Sequence, residues 1–478
     1  MKPTEVKKTE ISFEKLDNLQ NNIGASVNQM KKIANFMRCS AGKKSIPSHY
    51  SKHLSEHCKS LSDIYNEQWL EFDAEGDKKE IRPVVWADAE TLLDAVIDKR
   101  NLCGYYVIKL MADGGQGFFK ISMTILPENY AVDEAGKKRS LYCEGGSVGK
   151  EAKLTSVERL IILCVVPKIK ETYENLDLLF TLTKVNNIPF KFIADFKLIL
   201  IINGQQTASA TNPCPYCFIT LKNLKNYRDG MQEVSNQMKT YGDLKRNYQS
   251  FCNKGKKKKD AKYCNSTVNS PLLKEDDDLT VIEKCLPPEL HLLQGFLNHL
   301  FWDGLVPIFG RENALIWPRK LGLISKNYHG EVFEGNACRE LLKNASKLKD
   351  KEICQEDEKL EPFVYAFETM DKIVKACFGV QRDESADIDQ LIKELEEAVL
   401  STGVSITLKI HVILAHIKQS LQLFDNDIGL GFWSEQPGES IHHVFYKYWL
   451  KYKVISMENP SYAKRLKSAV VEFSSMHI

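Results

Sequence analysis

The stretch YYVIKLMAD (residues 105–113), GGQG (114–117) and FFKISMTILP (118–127) decides the fold. Its outer segments are β-branched and aromatic, and the glycines between them supply turn chemistry. The whole therefore reads as a hairpin of two strands. The first strand ends in a carboxylate, Asp113. Beyond a polar loop, RLIILCVVP (159–167) reads as a third apolar strand. YENLDLLFTLTKV (173–185) reads as a helix with Leu176, Leu178, Leu179 and Leu182 on its buried side. FKFIAD (190–195) is a fourth strand, again closed by a carboxylate, Asp195, and FKLILIINGQQ continues it as a helix.

The order β, β, β, α, β, α is the one expected of an α/β domain of RNase H-like type, a mixed sheet flanked by helices. Ligand sites in open α/β sheets favour the carboxyl ends of strands, where Asp113 and Asp195 both lie. Residues 218–400 read as helical and polar, with apolar helices in PPELHLLQGFLNHLF (287–301) and YAFETMDKIVKACFGV (365–380). A third carboxylate, Glu439, follows Asp195 by 244 positions. A large α-helical insertion is therefore expected between the second and third carboxylates.

The expected organisation has five parts. Residues 1–45 form an N-terminal helical segment, with Leu16, Leu19, Ile23, Val27, Met30, Ile33 and Phe36 at helical spacing and a break at Gly24 and Ser26. Two helices around such a turn suit either a DNA reader or a hairpin packed on the core. The absence of a dense basic face favours the hairpin. Residues 46–103 read as a linker and entry region, with the charged run AEGDKKEIRP. There His49, His53 and His57, followed by Cys58, suit a solvated helix face better than a metal site. Residues 104–217 hold the first part of the core, 218–405 the helical insertion, and 406–478 a histidine pair and a C-terminal catalytic helix.

The totals set limits. A net charge of +2 over 478 residues confines any nucleic-acid surface to a local patch. The 13 cysteines, an odd number, and the polar N-terminus lead to the expectation of a reduced, intracellular protein. No apolar run approaches the ~18 residues of a membrane helix. Cys103, Cys164 and Cys377 sit among apolar neighbours and read as small core side chains.

Two strand-end carboxylates and a third from a later helix have the chemistry to hold two Mg²⁺ (or Mn²⁺) ions for phosphoryl transfer. Each also has a plainer role. Strand-end Asp residues commonly serve as turn or N-cap residues, Asp195 stands where a helix would begin, and Glu435 and Glu439 both flank a helix start. Cys214-x-x-Cys217 in NPCPYCF and His411-x₄-His416 in KIHVILAHI together supply the four ligands of a tetrahedral Zn²⁺ site. In GLGFWSEQPGESIHHVFYKYWLKYKV (429–454), Ile441, Phe445 and Trp449 mark an amphipathic helix. His442, His443, Tyr446, Lys447, Lys451 and Lys453 on it suit phosphate contact or an ordinary solvated face. The lysine run Lys256, Lys257, Lys258 and Lys259 suits phosphate contact, a nuclear import signal or a solvated loop.

Taken together, these motifs resemble Transib-type DDE transposases and the catalytic core of the vertebrate V(D)J recombinase, and more closely transposon-derived proteins of invertebrates. The matching features are Asp113 followed by Gly-Gly, Asp195 nineteen positions before Cys214, the two zinc-ligand pairs, the LHLLQGFLNHLF helix, and Trp433 six positions before Glu439. The resemblance runs from about residue 104 to 455. It implies Asp113, Asp195 and Glu439 as the metal-binding triad, with Glu435 as the fallback third acid, and Cys214, Cys217, His411 and His416 as structural zinc ligands. It also implies a nuclear homodimer acting on double-stranded DNA at transposon ends, with Trp433 stacking on unpaired bases. Two alternatives stand beside it: a domesticated, inactive DNA-binding derivative, and a zinc-stapled interaction scaffold whose acids are caps.

Overall fold

The computed structural model describes residues 16, 19, 27–41, 61–76, 78–100, 102, 106–127, 130–132, 138–140, 157–227, 237–327, 331–350, 358–424, 427–454 and 456–477. The His49, His53, His57 and Cys58 reading, and that of Cys103, fall outside them. The chain is a mixed α/β protein of two units, one comprising residues 1–189 and 437–478, the other 190–436.

In the first unit, strands β1 (Asn66–Ala74), β2 (Lys78–Trp86), β3 (Tyr106–Gly115), β4 (Phe118–Pro127) and β5 (Ile161–Pro167) lie in the order β1-β2-β5-β4-β3. Each is antiparallel to its neighbour. The expected linker is corrected here: AEGDKKEIRP forms the turn and second strand of the β1–β2 hairpin. The charged first half of β2, Lys78 to Arg82, is exposed or half-buried, and Pro83, Val84 and Val85 towards its end are buried. A charged strand segment open to water mimics a linker in composition, and its pairing with β1 tells them apart.

The deciding hairpin β3–β4 forms in register, with Asp113 opposite Lys120 and Gly115 opposite Phe118. The turn is tighter than GGQG. Gly114 and Gly115 remain in the strand, and Gln116 (φ 48°) and Gly117 (φ 78°) make the reversal. Two successive positive φ values give the primed turn whose twist matches the flanking strands.

Helix α1 (Val27–Ala41) stands in the N-terminal segment, α2 (Ala89–Arg100) follows β2, and α3 (Tyr173–Thr183) follows β5. Thr172 caps α3 by accepting from the Asn175 N–H. Leu176 and Leu179 are buried as expected, joined by Phe180, whereas Leu178 and Leu182 are half-buried. After the second unit the chain returns as α10 (Gln436–Tyr452, of which Pro437 onward belongs here) and α11 (Tyr462–Met476), the latter against β1, β2 and β5.

The second unit opens with the short strand β6 (Lys191–Ile193), then α4 (Phe196–Ile202), and is helical thereafter. Its main helices are α5 (Tyr241–Asn253), α6 (Glu289–His299), α7 (Glu361–Cys377), α8 (Ile388–Ser401) and α9 (Leu408–Leu421). Helix α9 packs against both α6 and α8, and α7 against α8. The 287–301 and 365–380 readings fall on α6 and α7. Asp195 and both zinc-ligand pairs belong to this helical unit, so the division falls earlier than residue 218. Among the described residues, no helix is long and apolar enough to cross a membrane.

Candidate metal centres

The first centre lies wholly in the second unit. Pro213 and Pro215 stiffen the NPCPYC loop, and its neighbours pin it. Asn212 N–H donates to Ser266 Oγ (3.0 Å), and Lys239 N–H donates to the Tyr216 carbonyl (2.8 Å). This places the Cys214 and Cys217 thiols beside two histidines of α9. Cys214 Sγ lies 3.4 Å from His416 Nε2 and Cys217 Sγ 3.3 Å from His411 Nε2. All four ligand atoms fall within 4.8 Å of one another, and all four side chains are fully buried.

The donor set fits a tetrahedral ion. His416 Nδ1–H donates to Gln419 Oε1 (2.5 Å), which leaves Nε2 bare on the centre. Tyr216 N–H points at Cys214 Sγ (3.4 Å), as backbone amides do around metal-bound thiolates. Burial raises the Cys214 thiol, but the Cys217 hydrogen bond and the His416 charge outweigh it and hold Cys214 well below the usual thiol range. Cys217 is raised, first by that shared proton and then by burial. His411 is pushed down by burial, and its Nδ1 has no hydrogen-bond partner. This buried Cys₂His₂ cluster is one that could hold a zinc ion.

The second centre lies wholly in the first unit. The tip of β3 and the first turn of α10 bring Asp113, Glu439 and His442 together, with ligand atoms within 4.8 Å of one another. Glu439 is exposed, the Asp113 side chain is 25% exposed, and His442 is buried. Glu439 and His442 stand three apart on one helix face, so both address the same strand tip. Gly114 N–H donates to Asp113 Oδ1 (2.7 Å), and His442 Nε2 lies 2.7 Å from Asp113 Oδ2. Behind the ring, the buried Lys120 ammonium reaches His442 Nδ1 and the carbonyls of Gly115 (3.3 Å) and Phe118 (3.4 Å). Burial pushes Lys120 down to about 7, while the charges of Asp113 and Glu439 pull it back up. His442 was read as a phosphate donor or part of a solvated face, not as a neighbour of Asp113. The signal for its position is the i, i+3 spacing from Glu439.

The other candidates take different places. Asp195 caps α4, its Oδ1 accepting from the Leu198 N–H (2.7 Å), and its charge reaches Lys409 in the same unit. Glu435 is buried, accepting from the His291 backbone N–H (2.8 Å) and facing its Nδ1 (3.0 Å), and its Oε2 has no hydrogen-bond partner. Beside it, burial and the Glu435 charge raise Glu289 to about 7, against the pull of Arg339.

Two proposed DNA contacts are corrected. Trp433 is not an open stacking face. It is 5% exposed and stacks on Phe424 at 5.5 Å, because the apolar GLGFW segment closes into a buried turn. Lys451 is not a surface cation, since its ammonium is buried in an ion pair with Glu472 (2.8 Å), which also accepts from Tyr452. Lys256, Lys257, Lys258, Lys259 and Lys447 are exposed. The chain matches no protein-family model.

Proposed function

We propose that this protein is a DDE-type DNA strand-transferase of RNase H-like architecture, with Asp113, Asp195 and Glu439 holding Mg²⁺ or Mn²⁺ and the Cys₂His₂ centre holding structural Zn²⁺. The observation that carries the reading is the gathering of Asp113, Glu439 and His442 at the end of β3. The donors suit a hard divalent ion. Two carboxylates offer oxygens, and those of Asp113 are each oriented by one hydrogen bond, leaving further lone pairs open.

A pair of divalent ions, when bound, supplies Lewis acidity at the scissile phosphodiester and at the attacking hydroxyl. The protein's own part is positional. Asp113 and Glu439 fix the charge, buried Lys120 keeps the strand end electrostatically balanced, and exposed Lys256–Lys259 and Lys447 suit backbone phosphates. In the reaction proposed, water opens one strand at an element's end with release of a 3′-hydroxyl. That hydroxyl then attacks a phosphorus on the opposite strand, forming one P–O bond as another breaks. A nuclear homodimer acting on paired double-stranded ends belongs to the same reading.

The test is Mn²⁺- or Mg²⁺-dependent nicking of duplex DNA. Asp113→Ala, Asp195→Ala and Glu439→Gln should each abolish it with folding intact, while Glu435→Gln should retain it. Loss in Glu435→Gln with retention in Glu439→Gln would transfer the role to Glu435. A second reading, a zinc-stapled DNA-binding or interaction protein without catalysis, draws on the capping role of Asp195. Nicking that survives all the Asp and Glu substitutions, or is never detected, favours that one.

A further inference from the structure

We infer that Lys120 and His442 are a positioning pair for the Asp113 carboxylate, and that Gly115 is glycine in order to admit the His442 ring. The inference rests on the reading that Asp113 holds a divalent ion, and it adds what orients that acid.

The case starts from hydrogen-bond accounting. Strand register sets Lys120 opposite Asp113, and the Lys120 side chain is buried. An ammonium carries three N–H donors and no acceptor. Three acceptors surround it: the Gly115 carbonyl, the Phe118 carbonyl and His442 Nδ1. A neutral ring that accepts at Nδ1 carries its proton on Nε2, and that N–H is aimed at Asp113 Oδ2, 2.7 Å away. With the Gly114 N–H on Oδ1, the carboxylate is held at both oxygens. A carboxylate's terminal torsion is otherwise broad, so two fixed donors remove rotational freedom before any ion arrives. The same tautomer takes Nε2 out of use as a ligand, so His442 acts through Asp113.

The glycines give independent support. A Cβ on Gly115 would sit 2.5 Å from His442 Cδ2 and 2.6 Å from Cγ, inside a ring that cannot deform. A Cβ on Gly114 would crowd Glu171 Oε1, at 2.7 Å, the far end of a flexible chain, and otherwise make ordinary contact at 3.8 Å. The two glycines after Asp113 are therefore unequal, and only the second is required by the ring.

The experiment is Mn²⁺ titration of the full-length, zinc-loaded protein, followed by electron paramagnetic resonance of free and bound Mn²⁺. His442→Leu and Gly115→Ala should each weaken the Asp113-dependent binding by about 10- to 100-fold. His442→Gln, which keeps a donor, should recover part of the loss, and Gly114→Ala should weaken binding less than Gly115→Ala does, since the clash it introduces is with a flexible side chain. Gly115→Ala leaves every charged group in place, so it carries the test should His442→Leu fail to fold. Wild-type affinity in both Gly115→Ala and His442→Leu overturns the positioning role. So does a nitrogen coupling to bound Mn²⁺ that disappears in His442→Leu, since that makes His442 a ligand. Asp113→Ala separates the two levels: if it binds Mn²⁺ as tightly as the native chain, the functional reading itself fails.

Discussion

Removal of metal from the Cys214–Cys217–His411–His416 centre is expected to lower the melting temperature of the second unit by about 10 °C. An ion that binds only the folded state adds ~4 kcal/mol when its free concentration is a thousandfold above the dissociation constant. In a unit of this size each kcal/mol is worth ~2–4 °C. The geometry says the metal-free site has little to fall back on. Its four side chains are fully buried, so without an ion the two thiols keep only the weak contacts to His416 Nε2 (3.4 Å) and His411 Nε2 (3.3 Å) and to each other. The strain would spread from there: Tyr216 packs edge-on against His416 (5.5 Å) and against Phe196 (6.4 Å), the residue that follows Asp195. The assay is elemental analysis of the purified protein, with circular-dichroism melts before chelation, after it, and after zinc is restored. Cys217→Ser should melt like the chelated protein and gain nothing from added zinc. A protein that carries no zinc, and melts identically with chelator and in Cys217→Ser, would refute the argument and leave the four residues as an ordinary core.

Three other outcomes are expected. Trp433→Ala should cost ~3–5 kcal/mol in denaturant unfolding, as deletion of a packed aromatic does, and leave single-stranded DNA affinity unchanged. A selective loss of DNA affinity without loss of stability would restore the stacking role. Lys451→Met should cost ~3–5 kcal/mol, because it removes the cation paired with the buried Glu472 carboxylate. A cost under ~1 kcal/mol, the scale of a surface pair, would show the pair to be solvated. Finally, burial pushes His477 down to about 4, helped by Arg100 and opposed by the Leu160 carbonyl. With the folded pKa below the unfolded value, its contribution is complete above about pH 6.5 and is lost as pH falls towards 4, by about 3 kcal/mol at 1.36 kcal/mol per unit. His477→Gln should flatten urea midpoints over that window, and an unchanged pH profile would assign the acid sensitivity elsewhere.

What could be read from the sequence was whatever has a local cause. The β3–β4 hairpin, β5 and α3 follow from periodicity and turn chemistry, and the Cys₂His₂ cluster follows from ligand type and spacing even across 194 positions. The reading failed where a side chain's fate depends on what a distant segment places beside it. Lys451 carries the same chemistry as exposed Lys447 four residues earlier, and only Glu472 of α11 makes it a buried cation. Trp433 looks alike whether it meets a base or Phe424. The β1–β2 hairpin was hidden because its charged, exposed stretches outweighed, in composition, the few buried residues, such as Phe72, Val84 and Val85.

The first-unit centre is held by more than its polar contacts. Phe118 lies immediately past the Gln116–Gly117 turn, and its ring meets Phe445 at 5.5 Å and Trp449 at 5.6 Å, both nearly edge-on. Those two residues stand on the face of α10 that carries Ile441, and Ile441, Phe445 and Trp449 are all buried. The helix is thus anchored to the hairpin by aromatic packing beyond the turn that bears Glu439 and His442. Each such pair is worth about 0.5–1.5 kcal/mol beyond its area, and the rings allow little rotation of the helix about its axis. At the other end, Gly438 brings the helix start close to Met111 on β3, where an added Cβ would still find ordinary contact at 3.6 Å. The helix start is therefore fixed along its axis by aromatic packing, while the strand tip is fixed by backbone register. Three polar side chains on two rigid elements can then share one small volume without a loop to position them, and stiffness of that kind is what a metal-binding site requires.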